Sequence, residues 1–165
     1  MPDAGRLVIV NTTPLIALSL IGQLPLLQQL YGEVVVPAAV MAEILAGGPA
    51  GAGIVEVQQA GWLRQAALAD PARADVLADL DRGEAEVIAL GQELRAALVI
   101  IDERLGRLHA RRLGFAVTGT LGVLLRAKQE GLIGEVRPLI HELQRQGIRL
   151  SHTVIQRALA LAKEL

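Results

Sequence analysis

The chain alternates short, wholly apolar runs with longer stretches in which apolar residues recur every three or four positions. Leu7-Val8-Ile9-Val10 is the first run, and its lack of polar alternation predicts a strand buried on both faces. Pro14 suits the first turn of a helix reaching about Leu20, Gly22 breaks it, and Leu24 to Leu30 forms another. Val34-Val35-Val36 predicts a second strand. Pro37 opens a helix through Leu45, which Gly47-Gly48-Pro49 ends. Ile54 to Ala60 reads as a helix, Trp62 to Ala66 as an edge strand, and Pro71 as the start of a short helix. Asp81 is the N-cap of a helix from Arg82 to about Leu94. Ala97 to Ile101 is the clearest strand. Arg104 to Leu113 then predicts a basic helix, and Phe115-Ala116-Val117 a brief strand. Amphipathic helices follow near 120–130, 134–146 and 151–164.

Strands alternating with helices imply a parallel sheet covered on both faces, an α/β fold of three-layer α/β/α type. No repeat, low-complexity tract or linker divides the sequence, so a single domain over 1–165 is expected. The glycine-rich patch at Gly47, Gly48, Gly51 and Gly53 follows a helix and lacks the Lys-Ser/Thr of a phosphate-binding loop, so it reads as a helix terminator. Leu7 to Gly32 carries no charge and is long enough to span a bilayer. Asn11-Thr12-Thr13-Pro14, Gln23 and Pro25 interrupt it, and a strand, a turn and two short helices explain it better than a membrane span. The start of the chain lacks the basic opening and apolar run of a signal peptide.

Composition narrows the chemistry. Hydrophobic residues make up 52% and aromatic residues 2%, which argues against modules that stack nucleic-acid bases on aromatic platforms. The chain has no Cys, so disulfides, thiolate metal sites and Cys nucleophiles are excluded. That fits a reducing, cytoplasmic setting. The net charge of −1 hides a division. Residues 1–103 hold 5 Lys/Arg against 13 Asp/Glu, while residues 104–157 hold 10 against 3. An acidic half followed by a basic half suits a metal pocket beside a polyanion-binding surface, and it also suits unevenly charged solvated helix faces.

Ligands of open parallel sheets bind beyond the carboxyl ends of the strands. Two strands end directly in polar residues there: the first in Asn11-Thr12-Thr13, the later one in Asp102-Glu103. Asp102 reads either as a metal ligand or as a loop acid capping the next helix. Glu84, in Asp81-Arg82-Gly83-Glu84, also has capping-box spacing. Glu43 also reads as the wet face of an amphipathic helix. Glu86 cannot face the same way as Glu84. The two Ser, Ser19 and Ser151, sit in no nucleophile elbow, and His109, His141 and His152 lack zinc-site spacing. A carboxylate site for Mg²⁺ or Mn²⁺ is the main option left.

Four segments together resemble PIN-domain proteins. Val8-Ile9-Val10-Asn11-Thr12-Thr13-Pro14-Leu15 is similar to their opening strand, which delivers Asp then Ser/Thr. Val36-Pro37-Ala38-Ala39-Val40-Met41-Ala42-Glu43-Ile44 resembles their helix with one inward Glu. Gly83-Glu84-Ala85-Glu86-Val87-Ile88-Ala89-Leu90 resembles an acid leading a small-residue helix, and Leu98-Val99-Ile100-Ile101-Asp102-Glu103 an apolar strand ending in Asp. The resemblance covers about 7 to 130, with helices 134–164 beyond it. Thr118-Gly119-Thr120-Leu121-Gly122 and the following residues look like a prokaryotic branch of the family.

The resemblance implies a small metal-dependent endoribonuclease, often a toxin of VapC-like type, paired with a small antitoxin protein and dimeric. It implies Mg²⁺ or Mn²⁺ held by Asn11, Glu43, Glu84 and Asp102, with Glu103 and Glu86 as further candidates. Thr12, Thr13 and Thr120 would orient those groups. Arg104, Arg107, Arg111 and Arg112 are expected either to contact RNA or to be solvated helix charges. Asn11 stands where the family usually has Asp, and Asn brings a carbonyl oxygen without negative charge. The alternative is therefore a catalytically impaired fold that binds RNA or an antitoxin. A phospho-signalling receiver would need paired acids after the first strand, which Asn11-Thr12 do not provide.

Overall fold

The apolar runs become strands because β-branched side chains pack well on a sheet covered from both sides. The structure is a computed structural model that describes residues 6–47 and 51–165. Its strands are β1 (Val8–Val10), β2 (Val34–Pro37), β3 (Leu63–Ala66), β4 (Leu98–Ile100) and β5 (Ala116–Thr118). They lie in the order β3-β2-β1-β4-β5, every pair parallel, with Ile9 opposite Val35 and Val99, and Val99 opposite Val117. Apart from Leu98, every residue of β1, β2 and β4 is buried.

The helices are α1 (Thr12–Leu20), α2 (Pro25–Tyr31), α3 (Ala38–Leu45), α4 (Ile54–Gln59), α5 (Ala72–Asp75), α6 (Arg82–Leu94), α7 (Arg104–Arg112), α8 (Thr120–Gln129), α9 (Arg137–Arg145) and α10 (His152–Leu161). α6 packs on β1, β2 and β4, with α3, α5 and α7 against it. α2 and α8 pack on each other and on β2 and β5, and α10 packs on α8. The result is the expected three-layer α/β/α arrangement around a parallel sheet. Nine successive residues of α6, Gly83 to Gly91, are buried. A helix enclosed on all sides tolerates polar side chains only where they find partners.

Boundaries moved in physically readable ways. α1 starts at Thr12, before Pro14, because a helix leaves the amides of its first turn unpaired and Pro removes one without cost. Pro37 is both the last residue of β2 and the N-cap of α3, with φ −59° and ψ 150°, an extended geometry that its ring also permits. α9 begins at Arg137, later than expected. Gly48 and Pro49, expected to end α3, lie outside the described residues. The uncharged stretch from Leu7 becomes β1, α1 and α2, the two helices bent by 117°. Among the described residues no single helix is long and apolar enough to cross a membrane.

Candidate functional site

β1 is the switch point of the sheet: the chain runs outward from it to β2 and β3 on one side, and to β4 and β5 on the other. A crevice therefore opens beyond the carboxyl ends of β1 and β4. Asn11 sits at its floor, 3% exposed, with its backbone N–H donating to Ile100 O at 3.0 Å. Asn11 and Glu103 both occupy N-cap positions, of α1 and α7, yet neither side chain caps its helix. They meet instead: Asn11 Nδ2 donates to Glu103 Oε2 at 3.2 Å. Thr13 Oγ1 donates to the other oxygen, Glu103 Oε1, at 2.6 Å. Glu103, a secondary candidate by sequence, is thus gripped through both carboxylate oxygens.

Glu43 comes from α3, an exposed residue at the lip of the crevice, and Thr12 Oγ1 donates to its Oε2 at 2.7 Å. Gly83, in the first turn of α6, explains how α6 gets so close. A Cβ built there would lie 3.1 Å from Glu43 Oε2, 3.4 Å from Asn11 Oδ1 and 3.5 Å from Asp81 Oδ1. Three oxygens from three elements therefore face this one missing side chain.

Glu84 is the buried acid of the group, 7% exposed. Its backbone N–H donates to Asp81 Oδ1 at 2.8 Å, so Asp81 caps α6 as expected. Burial first, then the charges of Asp81, Glu103 and Glu43, push its carboxyl up to about 7. Three acids from three elements thus act on Glu84 at once. Asp81 therefore belongs to the cluster as well as capping α6.

Asp102 is held differently. Its Oδ1 accepts from Thr120 N at 2.7 Å and its Oδ2 from Thr120 Oγ1 at 2.6 Å. It therefore satisfies the start of α8 rather than capping α7. Burial raises its carboxyl above the usual range, Glu103 adds to that, and Thr120 and Arg107 work against it. A Cβ on Gly119 would lie 2.5 Å from Asp102 Oδ1 and 2.9 Å from Arg107 Nη1, so this corner closes only around glycine.

The remaining candidates divide. Glu86 is buried but faces away from the crevice; it accepts from Ala39 N at 3.1 Å and from Arg82 Nε at 3.0 Å. It ties α6 to the first turn of α3, and so helps fix the helix that carries Glu43. Arg107 turns inward and donates from Nη1 to Ile101 O at 3.0 Å, while Arg104, Arg111 and Arg112 are exposed. His109 pairs with Asp79 at 2.8 Å, on the outside of α7.

α1, α6, α7 and α8 all begin at this crevice. Their N-termini carry partial positive charge, which favours carboxylates and, equally, a phosphate. The donor set is all oxygen, with no His or thiolate, and suits a hard divalent cation. The mutual repulsion that raises Glu84 is what such a cation relieves. Among the described residues, no three acidic or His side chains are gathered closely enough to hold a metal as they stand; hydroxyl and amide donors separate them. Each carboxylate oxygen has a second lone pair beyond the hydrogen bond it accepts, so those donors do not block a cation.

A family described as PIN domain matches residues 7–164. No curated protein matches the chain.

Proposed function

The chain belongs to the PIN-domain family, whose fold is of nuclease type, and on that premise we propose that it is a metal-dependent endoribonuclease hydrolysing RNA phosphodiesters. PIN domains generally use divalent metal ions, bind RNA, and often pair with antitoxins. The observation that carries the reading is the crowding of Glu43, Asp81 and Glu103 on the buried Glu84, beside Asn11 at the switch point of the sheet. In this reading Glu43, Glu84, Asp102 and Glu103 would hold Mg²⁺ or Mn²⁺, with Asn11 Oδ1 available beside them. The bound ion would supply an activated water and offset charge developing on the phosphodiester.

The protein's part is to set the acids in place beforehand. Thr12 orients Glu43, Thr13 and Asn11 orient Glu103, and Thr120 orients Asp102. Helix N-termini around the crevice favour the incoming phosphate. The proposal treats residues 1–165 as one domain. It carries with it a cytoplasmic setting, a homodimer and a small protein antitoxin of the VapC-like kind.

A second reading, a PIN fold that binds RNA or a partner without cutting, is favoured by two observations: Asn11 brings no charge, and among the described residues no three acidic or His side chains converge closely enough to hold a metal as they stand. RNA cleavage with Mn²⁺ separates the two. The nuclease reading expects cleavage that EDTA abolishes, with Glu84→Gln reducing it by about 100-fold or more. No turnover by the natural protein under Mg²⁺ or Mn²⁺, with turnover appearing in Asn11→Asp, supports the second reading and rejects the first.

A further inference from the structure

A groove of about 510 Å³ runs from the acid cluster along the start of α8 to α10. It shares Asp102, Thr120 and Thr13 with the site, so the two are continuous. Three arginines from three places in the chain line it: Arg107 from α7, Arg149 from the segment before α10, and Arg157 from α10. Asp102, at the site end, is the only acid among the lining residues. Arg149 and Arg157 are exposed, and neither pairs with an acid among the described residues, whereas Arg145 nearby pairs with Glu142 at 3.3 Å. The wall between them is apolar, with Leu150 and the 44% exposed Val154.

We propose that this groove holds the single-stranded RNA flanking the phosphodiester to be cut, with phosphates on Arg149 and Arg157 and a base edge against Leu150 and Val154. The inference rests on the nuclease reading and adds to it the path of the strand. Charge selects the occupant: a groove with three cations, whose single acid already accepts hydrogen bonds, favours a polyanion. Size selects the single strand, since the volume lies in the roughly 300–1,000 Å³ range of small-ligand sites and takes a nucleotide or two rather than a duplex. With no aromatic residue in the lining, binding comes mainly from phosphate contacts and is strongly salt-dependent.

The test is fluorescence anisotropy of the full chain with a short, unstructured, labelled RNA in EDTA, where no cutting occurs. Arg149→Ala/Arg157→Ala should bind about 10-fold or more weakly, with a log–log salt slope lower by about 1.4, two single-strand contacts. Arg145→Ala should bind as the natural protein does, and Arg149→Lys/Arg157→Lys should keep most of the affinity. All these positions are exposed, and circular dichroism verifies folding. Equal affinity and slope in the double Ala variant overturns the inference, as does an equal loss in Arg145→Ala or no RNA binding by the natural protein. An acidic peptide as the true occupant would give the first of these. The nuclease reading fails separately: natural protein that binds RNA through the groove yet cuts none under Mn²⁺ rejects the chemistry and supports the groove. Cleavage under Mn²⁺ with RNA binding indifferent to Arg149 and Arg157 rejects the groove and supports the chemistry.

Discussion

Asn11 differs from Asp by one donor, and that donor is in use, on Glu103 Oε2. An Asp at 11 would set two carboxylates against each other, whereas Asn11 donates to Glu103, which brings the negative charge at this point of the crevice. The sequence could nominate both residues. It could not say that they touch, because Asp102 and Glu103 are neighbours at a strand end and only the backbone geometry decides which of the two turns to β1. Glu84 gives a measurable consequence. Between its usual 4.5 and about 7, the folded protein keeps a proton that the unfolded chain has lost. Folding support from Glu84 is thus full below about 4.5 and declines as pH rises through 7. Asp102, also raised, adds the same sign. On the acid side, Glu164 is held down to about 2 by Val136 N, Arg137 N and Lys128, so its contribution is lost as pH falls from 4.5 toward 2. In EDTA, urea unfolding should give greatest stability near pH 4.5, with a decline toward 7 that Glu84→Gln flattens. A natural protein that grows steadily more stable from pH 4.5 to 7 would contradict the buried, crowded carboxyl.

At the scale of elements, the site depends on how closely α6 approaches α3 and β1. Gly83 permits the approach, and Glu86 secures it by accepting from Ala39 N. Gly83 lies in the first turn of α6, where its cost against Ala is at most the roughly 0.5–1 kcal/mol of a helix interior. What the cost serves became visible only with Glu43 Oε2 and Asn11 Oδ1 beside it. Gly83→Ala should therefore keep or slightly raise the melting temperature in EDTA, since Glu43 has an exposed, movable side chain. It should also displace Glu43 and weaken Mn²⁺ binding by about 10-fold, read by calorimetric titration. Unchanged Mn²⁺ affinity would separate Glu43 from the metal. Most elements were legible because their signals are local: β-branched runs for β1, β2 and β4, and prolines and an Asp cap for α2, α5 and α6. The role of Glu86 was not, since its partner lies on another helix 47 positions away.

Across the whole molecule, the parallel sheet turns a scattered set of acids into one crevice. Glu43, Glu84 and Asp102 each have an ordinary local explanation along the chain, as wet helix face, capping box or loop acid. Strand order removes the ambiguity by setting β4 beside β1, so that the ends carrying Asn11 and Glu103 coincide. The charge division also acquires a place: the basic half supplies Arg149 and Arg157 to a groove that opens on the acidic crevice. No motif marked those arginines in the sequence, because α9 and α10 carry only amphipathic periodicity. The proposal that unites these features is a cation among the carboxylates, and a crystal grown with Mn²⁺ tests it most directly. Anomalous scattering should show an ion between Asn11, Glu43, Glu84 and the Asp102-Glu103 pair, with the carboxylates drawn in toward it. Saturating Mn²⁺ with no ion in that crevice, or with ions only elsewhere on the surface, would contradict a metal-dependent centre at the ends of β1 and β4.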